Sequence, residues 1–158
     1  MGIRDTLLFV LKIHVISLAN RAKSDAFDSL ARLYLDRLEP YVKTESTVFR
    51  NEDLLFEWVE RQRSRTAPVL LLLDSRGQQF SSVDFSKWLG RQRDRGTQTL
   101  VVAIGPADGW SATARARADK LLSLGLMTLP HELVRVVLAE QLYRAFTILA
   151  GHPYHSGH

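Results

Sequence analysis

Four polar side chains crowd the end of a long apolar segment: Glu140 and Arg144, then Tyr154 and His155 just past it. Side chains at i and i+4 are neighbours on a helix, so Glu140 and Arg144 can form an ordinary helix ion pair, with Thr147 within ~60° of both. Tyr154 and His155 can donate, accept or relay a proton, the usual work of general acid–base groups. Glycines supply the second cue. Gly77, Gly105, Gly109 and Gly125 all fall in the C-terminal half, where apolar runs end or break. In open α/β sheets ligands collect at the carboxyl ends of the strands, so these loops converge on an expected binding crevice.

Other chemistries are excluded or weak. The chain has no cysteine, which removes thiolate nucleophiles, Cys-ligated zinc and iron–sulfur clusters. His131-Glu132-Leu133-Val134-Arg135 opens like a zincin helix but carries Arg where the second histidine ligand is required. His152, His155 and His158 could hold a metal loosely, though solvated histidines near a terminus are the default; no metal site is expected. The turn after the first strand, 19–23, lacks glycine, and no Walker loop exists, so the common dinucleotide and P-loop folds do not apply. Ser81-Ser82 has no evident His/Asp partners, and capping of a helix explains Ser82.

These groups are positioned by alternating strands and helices. Residues 11–18 read as a strand with Leu11, Ile13 and Val15 on one face and a structural His14 on the other. Ser24 caps a helix to Glu39 that buries Phe27, Leu30, Ala31, Tyr34 and Leu38. A polar, β-branched edge strand covers 42–49. Asn51 then caps a helix whose Leu54, Leu55, Trp58 and Val59 face inward. Residues 68–74 (PVLLLLD) and 99–104 (TLVVAI) are continuous apolar runs, as strands buried on both faces require. Between them lie a loop over 75–81 and a helix through Trp88 and Leu89. Ser111 caps a short helix to about Lys120, residues 121–129 form the last strand, and a long helix covers 132–150 between Pro130 and Gly151. The pattern is a three-layer α/β sandwich with a mostly parallel sheet. The last helix is apolar on nearly every side, so a second copy of the chain is expected to cover it.

A chain of 158 residues suits one domain with a core of its own. Its net charge of +4 and pI near 9.7 suit a polyanionic partner, RNA above all. The apolar stretch 6–11 is too short to span a bilayer or serve as a secretory segment, so no membrane association is expected. Residues 1–6 match the loose myristoylation pattern, but 1–10 read better as a short extension ahead of the first strand.

Three segments together resemble the RlmH family: Leu73-Asp74-x-x-Gly77-x-x-x-Ser81-Ser82-x-x-Phe85, Ile104-Gly105-x-x-x-Gly109, and the long, specific run 127–155 beginning Met127-Thr128-Leu129-Pro130-His131. The likeness covers 11–155. It implies a cytoplasmic, homodimeric methyltransferase of the SPOUT class, with a C-terminal trefoil knot, which uses S-adenosylmethionine to methylate N3 of a pseudouridine in 23S rRNA on the assembled ribosome. A SPOUT enzyme with another RNA target, or an inactive ribosome-binding protein of this fold, stays open. By the resemblance the cofactor contacts Leu73, Gly105 and the last loop, Leu124, Gly125, Leu126, Met127, Thr128 and Leu129. Those are the strand ends that the glycines mark. Pro106 stands where a second glycine is usual and Ala19 where one follows the first strand; the kept Gly105 implies an altered loop with binding intact.

Without cysteine the covalent route to pyrimidine C5 is closed, whereas a ring nitrogen needs only its imide proton removed and correct alignment. Glu140, Arg144, Tyr154 and His155 are the catalytic candidates. Arg144 would orient a carbonyl or phosphate, and His155 or Tyr154 would take the proton. The tail is expected to fold over the cofactor pocket, its own or a partner's, because a purely structural tail is more naturally apolar or mobile.

Overall fold

The computed structural model describes residues 11–19 and 25–156. The expected extension 1–10, the Ser24 cap, most of the 19–23 turn and His158 lie outside them. Five strands, β1 (Lys12–Leu18), β2 (Lys43–Phe49), β3 (Val69–Gln79), β4 (Thr99–Ile104) and β5 (Lys120–Ser123), make one parallel sheet in the order β2-β1-β4-β3-β5. The helices are α1 (Asp25–Leu38), α2 (Glu52–Arg61), α3 (Ser82–Asp94), α4 (Ala112–Arg117) and α5 (His131–Leu149).

Alternating strand residues feed two cores, as period-2 geometry requires. Ile13, Val15, Leu71, Leu73 and Val102 pack against α1, α3 and α5. Ile16, Leu18, Leu70, Leu72 and Val101 pack against α2 and α4. The 69–73 half of β3 and 100–104 of β4 are therefore apolar on both faces, and β2, at an edge, is polar and mostly exposed.

Several expected details differ. In α1, Leu30 is 45% exposed and Leu35 takes the buried position. In α2, Leu54 points outward and Phe56 inward. Apolar spacing alone fixes a helix face only to within a residue or two, because neighbouring leucines can exchange places on its rim. Ser81, not Ser82, caps α3 by accepting the Asp84 N–H at 3.0 Å. Asn51 and Ser111 cap α2 and α4 as read from the sequence.

The larger differences flank the binding crevice. The loop expected at 75–81 is mostly strand: β3 runs to Gln79, and Leu122 of β5 pairs with both Leu73 and Gln78, so 74–77 bulge from the ladder. Gly77 makes this possible, since a β-carbon there would lie 2.5 Å from the Leu121 carbonyl carbon. Conversely, β5 stops at Ser123, which frees 124–130 as a loop; Gly125, with φ of +141°, sits in that loop outside any strand.

Candidate functional site

All eight expected cofactor contacts line one cleft of about 640 Å³ at the bulge of β3 and the carboxyl end of β4. Leu73 ends the apolar run of β3, Gly105 follows β4, and Leu124, Gly125, Leu126, Met127, Thr128 and Leu129 form the third wall, leading into α5. The size is that of a small-molecule site. Leu126 and Met127 are 91% and 86% exposed. Large apolar groups so placed at a cleft mark a surface that a ligand or partner covers.

Residues outside the expected set shape the cleft. Trp110 is buried, and its indole N–H donates to the Leu73 carbonyl at 2.9 Å, tying β3 to the 105–110 loop. A β-carbon on Gly105 would meet that ring at 2.8 Å. Gly105 is thus required by Trp110, a different reason from close backbone approach to a ligand. Pro106 opens a turn in which its carbonyl accepts the Gly109 N–H at 2.9 Å; Gly109 has φ of +87°. The missing Pro106 N–H costs this turn nothing.

Asp74, buried at the cleft floor, belongs to the sequence motif without having been assigned a role. Burial alone would raise its pKa, but the Arg76 backbone N–H at 2.8 Å and guanidinium at 3.2 Å hold it below the ordinary value. The cleft therefore carries a carboxylate at neutral pH. His131 also lines it, and its buried Nε2 has no hydrogen-bond partner, a group poised for a ligand. Among the described residues no three His, Asp or Glu side chains come together as a metal site.

Glu140, Arg144, Tyr154 and His155 do come together, over the second half of α5 and the turn that follows it. Glu140 Oε1 accepts from Arg144 Nε at 2.9 Å and from the Tyr154 hydroxyl at 3.1 Å, and lies 2.6 Å from Arg144 Nη2. Arg144 Nη1 is 3.0 Å from His155 Nδ1. Since a guanidinium only donates, Nδ1 is the acceptor and a neutral His155 carries its proton on Nε2. The Glu140–Arg144 pair is thus the centre of a partly buried network. Thr147 stands apart, donating to the Arg144 carbonyl at 2.6 Å.

The tail earns its place by packing. Pro153–His155 form a single 3₁₀ turn capped by His152, whose Nδ1 accepts the Tyr154 N–H at 3.1 Å. The Tyr154 ring stacks edgewise on Tyr143 at 4.7 Å and lies under the Arg144 guanidinium at 4.9 Å. Burial, then the charge of Glu140 and the hydrogen bond to it, push the Tyr154 hydroxyl up to about 12. It is a proton donor at neutral pH, which weakens the expectation that it accepts one.

One expectation fails within a single chain: no tail residue lines the cleft. On α5 the cleft reaches Val134, six residues and ~9 Å of rise before Glu140, and Arg144 is a further turn away. The cleft and the four-residue network face separate places.

The comparisons with known proteins agree with this geometry. Residues 11–155 match a family described as "Predicted SPOUT methyltransferase". Ribosomal RNA large subunit methyltransferase H of Koribacter versatilis (strain Ellin345) is 49% identical over 148 residues, 94% of this chain and 100% of that protein. The namesake from Sinorhizobium fredii is 46% identical over 149 residues, 85% and 93% of the two chains. Among solved structures, the fold is shared with a probable methylase family protein from Haemophilus influenzae (TM-score 0.55, 10% identity, 94% of this chain and 71% of that one). It is shared also with the SpoU methyltransferase AviRb from Streptomyces viridochromogenes in complex with AdoMet (TM-score 0.51, 13% identity, 90% and 59%). A family match over nearly the whole described length, with near-half identity to full-length relatives, makes this chain a member of the SPOUT methyltransferase family, in its ribosomal RNA large subunit methyltransferase H branch.

Proposed function

We propose that this chain is an S-adenosylmethionine-dependent methyltransferase that modifies N3 of a pseudouridine in 23S rRNA of the assembled ribosome, as a cytoplasmic homodimer. One observation carries the reading: eight residues from three separate stretches, named as cofactor contacts from sequence, line one cleft of suitable size. The cleft's chemistry fits the cofactor. The ionised Asp74 suits a cationic sulfonium or amine, the unpartnered His131 Nε2 suits a polar tail, and the apolar 124–129 loop suits an adenine face. Bound S-adenosylmethionine supplies an electrophilic methyl group.

The protein's own part is to hold the target nitrogen in line and stabilise the charge left when its proton departs. The Glu140–Arg144–Tyr154–His155 network is rich in donors. Glu140 is engaged on both oxygens, and Tyr154 keeps its proton. Arg144 and the His155 Nε2–H are the groups suited to a uracil carbonyl as it becomes an imidate; His155 takes up the N3 proton only when Arg144 releases its Nδ1.

Because cleft and network are separate within one chain, the working site pairs the cleft of one protomer with the network of another. We place the dimer contact on the outer side of α5, where Leu133, Val136 and Val137 are only half-buried. The trefoil knot of SPOUT enzymes is proposed here for the segment from β3 to α5, where β5 presses against the bulge at Gly77.

The test is nucleoside mass spectrometry of rRNA from a strain lacking the gene, with methyl transfer by purified protein to its ribosomes. Loss of one N3-methylpseudouridine, restored by the protein with S-adenosylmethionine, is expected. An unchanged nucleoside profile would refute the target, and ribosome binding without transfer would favour the inactive alternative.

A further inference from the structure

Glu140 and Arg144 are paired in an unusual way. A carboxylate facing arginine ordinarily settles into a fork, each oxygen taking one parallel N–H. Here Arg144 Nε and Nη2 both address Oε1, at 2.9 and 2.6 Å. The second oxygen is taken by Gln141, whose Nε2 donates to Glu140 Oε2 at 3.0 Å. The amide cannot turn round. Its other end, Oε1, accepts from the Ser82 hydroxyl at 2.8 Å, and a carboxylate has no proton to offer the amide oxygen in exchange. The terminal torsion of a glutamate is soft, so something must stop the carboxylate from swinging into the fork, and among the described residues Gln141 is the hydrogen-bond partner of Oε2.

We propose that Gln141, locked by Ser82 of α3, is a positioning residue that keeps Glu140 out of the two-pronged pairing and thereby keeps Arg144 aimed at His155. If Oε2 were released, Arg144 would rotate to meet both oxygens, and Nη1 would leave His155 Nδ1, now 3.0 Å away. His155 would lose the contact that fixes its tautomer, and Arg144 would lose its orientation towards substrate. Gln141 acts through Glu140 and Arg144, touching neither substrate nor cofactor. The lock also joins the network to α3 through the small cavity between Ser82, Ser123, Leu124 and Gln141, next to the cleft.

This inference rests on the proposed function for its consequence in catalysis but not for its structural claim, and the experiment separates the two. Nitrogen-15 imidazole spectra of the full chain, with His155 assigned through His155→Gln, report the tautomer without any substrate. In wild type the proton sits on Nε2. In Gln141→Met, which keeps length but removes both polar bonds, the His155 signals should move to the averaged values of a free imidazole, with thermal stability equal or higher. Cofactor affinity should be unchanged and kcat about tenfold lower, the KM for ribosomes staying within twofold. Ser82→Ala should give a weaker form of the same change, and Ser82→Thr, which keeps the hydroxyl, should restore wild-type spectra. An unaltered His155 tautomer in Gln141→Met would overturn the proposal, as would a fall in stability that accounts for the lost rate. Were wild type itself to transfer no methyl group, the spectra would still decide for or against Gln141.

Discussion

Replacing Gly105 by alanine tests how the cleft is built. The added β-carbon would stand 2.8 Å from both Cε2 and Nε1 of Trp110 and 3.1 Å from Cδ1. These are atoms of a rigid, buried ring, so the ring must shift as a body. Overpacking of this kind costs ~1–3 kcal/mol. The shift also pulls the indole N–H from the Leu73 carbonyl, now 2.9 Å away, a bond worth about 1 kcal/mol. Together these give roughly 2–4 kcal/mol, a substantial part of the ~5–15 kcal/mol that holds a typical domain together. Urea unfolding followed by tryptophan fluorescence measures it. Because Leu73 and Gly105 form two walls of the cleft, S-adenosylmethionine affinity by calorimetry should fall at least ~10-fold, the equivalent of ~1.4 kcal/mol. The control is Trp110→Phe, which keeps a ring but removes the donor. If ring and β-carbon collide, Gly105→Ala and Trp110→Phe share one contact, and the double variant should be less destabilised than the two singles added together. Gly105→Ala within ~0.5 kcal/mol of wild type, or strict additivity, would refute the collision and return the glycine's role to close approach of a ligand.

Gly77→Ala should be worse, at or beyond ~3 kcal/mol, since its β-carbon would meet the Leu121 and Leu122 backbone at 2.5–2.7 Å; soluble yield and the unfolding midpoint test this. Methylation of ribosomes should weaken with salt, because a chain of net charge +4 that docks on phosphates releases counterions, and rates flat from ~50 to ~200 mM salt would exclude that docking. Burial of His14 lowers its pKa from 6.5, the charge of Glu45 opposing the shift and that of Lys12 adding to it. The unfolded chain therefore binds the proton more readily, so stability should be full above pH 6.5 and decline as pH falls towards the folded value. His14→Gln should remove that slope from urea midpoints measured between about pH 5 and 7, and an unchanged slope would assign it to other groups.

The sheet was legible because its chemistry is local. Runs such as 69–73 and 99–104 are apolar on both faces, a pattern that only strands covered on both sides tolerate. Asn51 and Ser111 carry their caps in the sequence. The extension of β3 through 74–79 was not legible, because Asp-Ser-Arg-Gly is turn-like by composition and becomes strand only when β5 lies alongside. The end of β5 at Ser123 failed for the converse reason: Leu124, Leu126 and Met127 look like core, but they line a cleft. Among the site residues, spacing announced Glu140 and Arg144, and the acid–base chemistry of the side chains after Pro153 announced Tyr154 and His155. Trp110 and Gln141 gave no signal, since what each does depends on a partner at least thirty residues away, Leu73 for one and Ser82 for the other.

The helix that joins the two halves of the site also keeps them apart, and that separation can be turned into an experiment. The cleft wall reaches Val134 on α5 and the network begins at Glu140, ~9 Å further along a rigid rod, whereas reacting atoms must approach to ~3–3.5 Å. Bending α5 is no remedy, because Leu138, Ala139, Leu142 and Phe146 are buried against the sheet and its flanking helices. In a two-fold dimer each surface is used twice and reciprocally. A protomer with a ruined cleft, Gly105→Val, can still offer a sound network, and one with Arg144→Ala can still offer a sound cleft. Each variant alone should be inactive. Mixed, unfolded and refolded together in equal amounts, half of the dimers should be hybrids, each with one site in which both halves are intact. Methyl transfer to ribosomes should then return to about a quarter of the wild-type rate. Mixtures that stay inactive, while light scattering shows that hybrids form, would mean that each site is completed within its own chain. A movement of the 124–130 loop or of the tail would then have to close the gap.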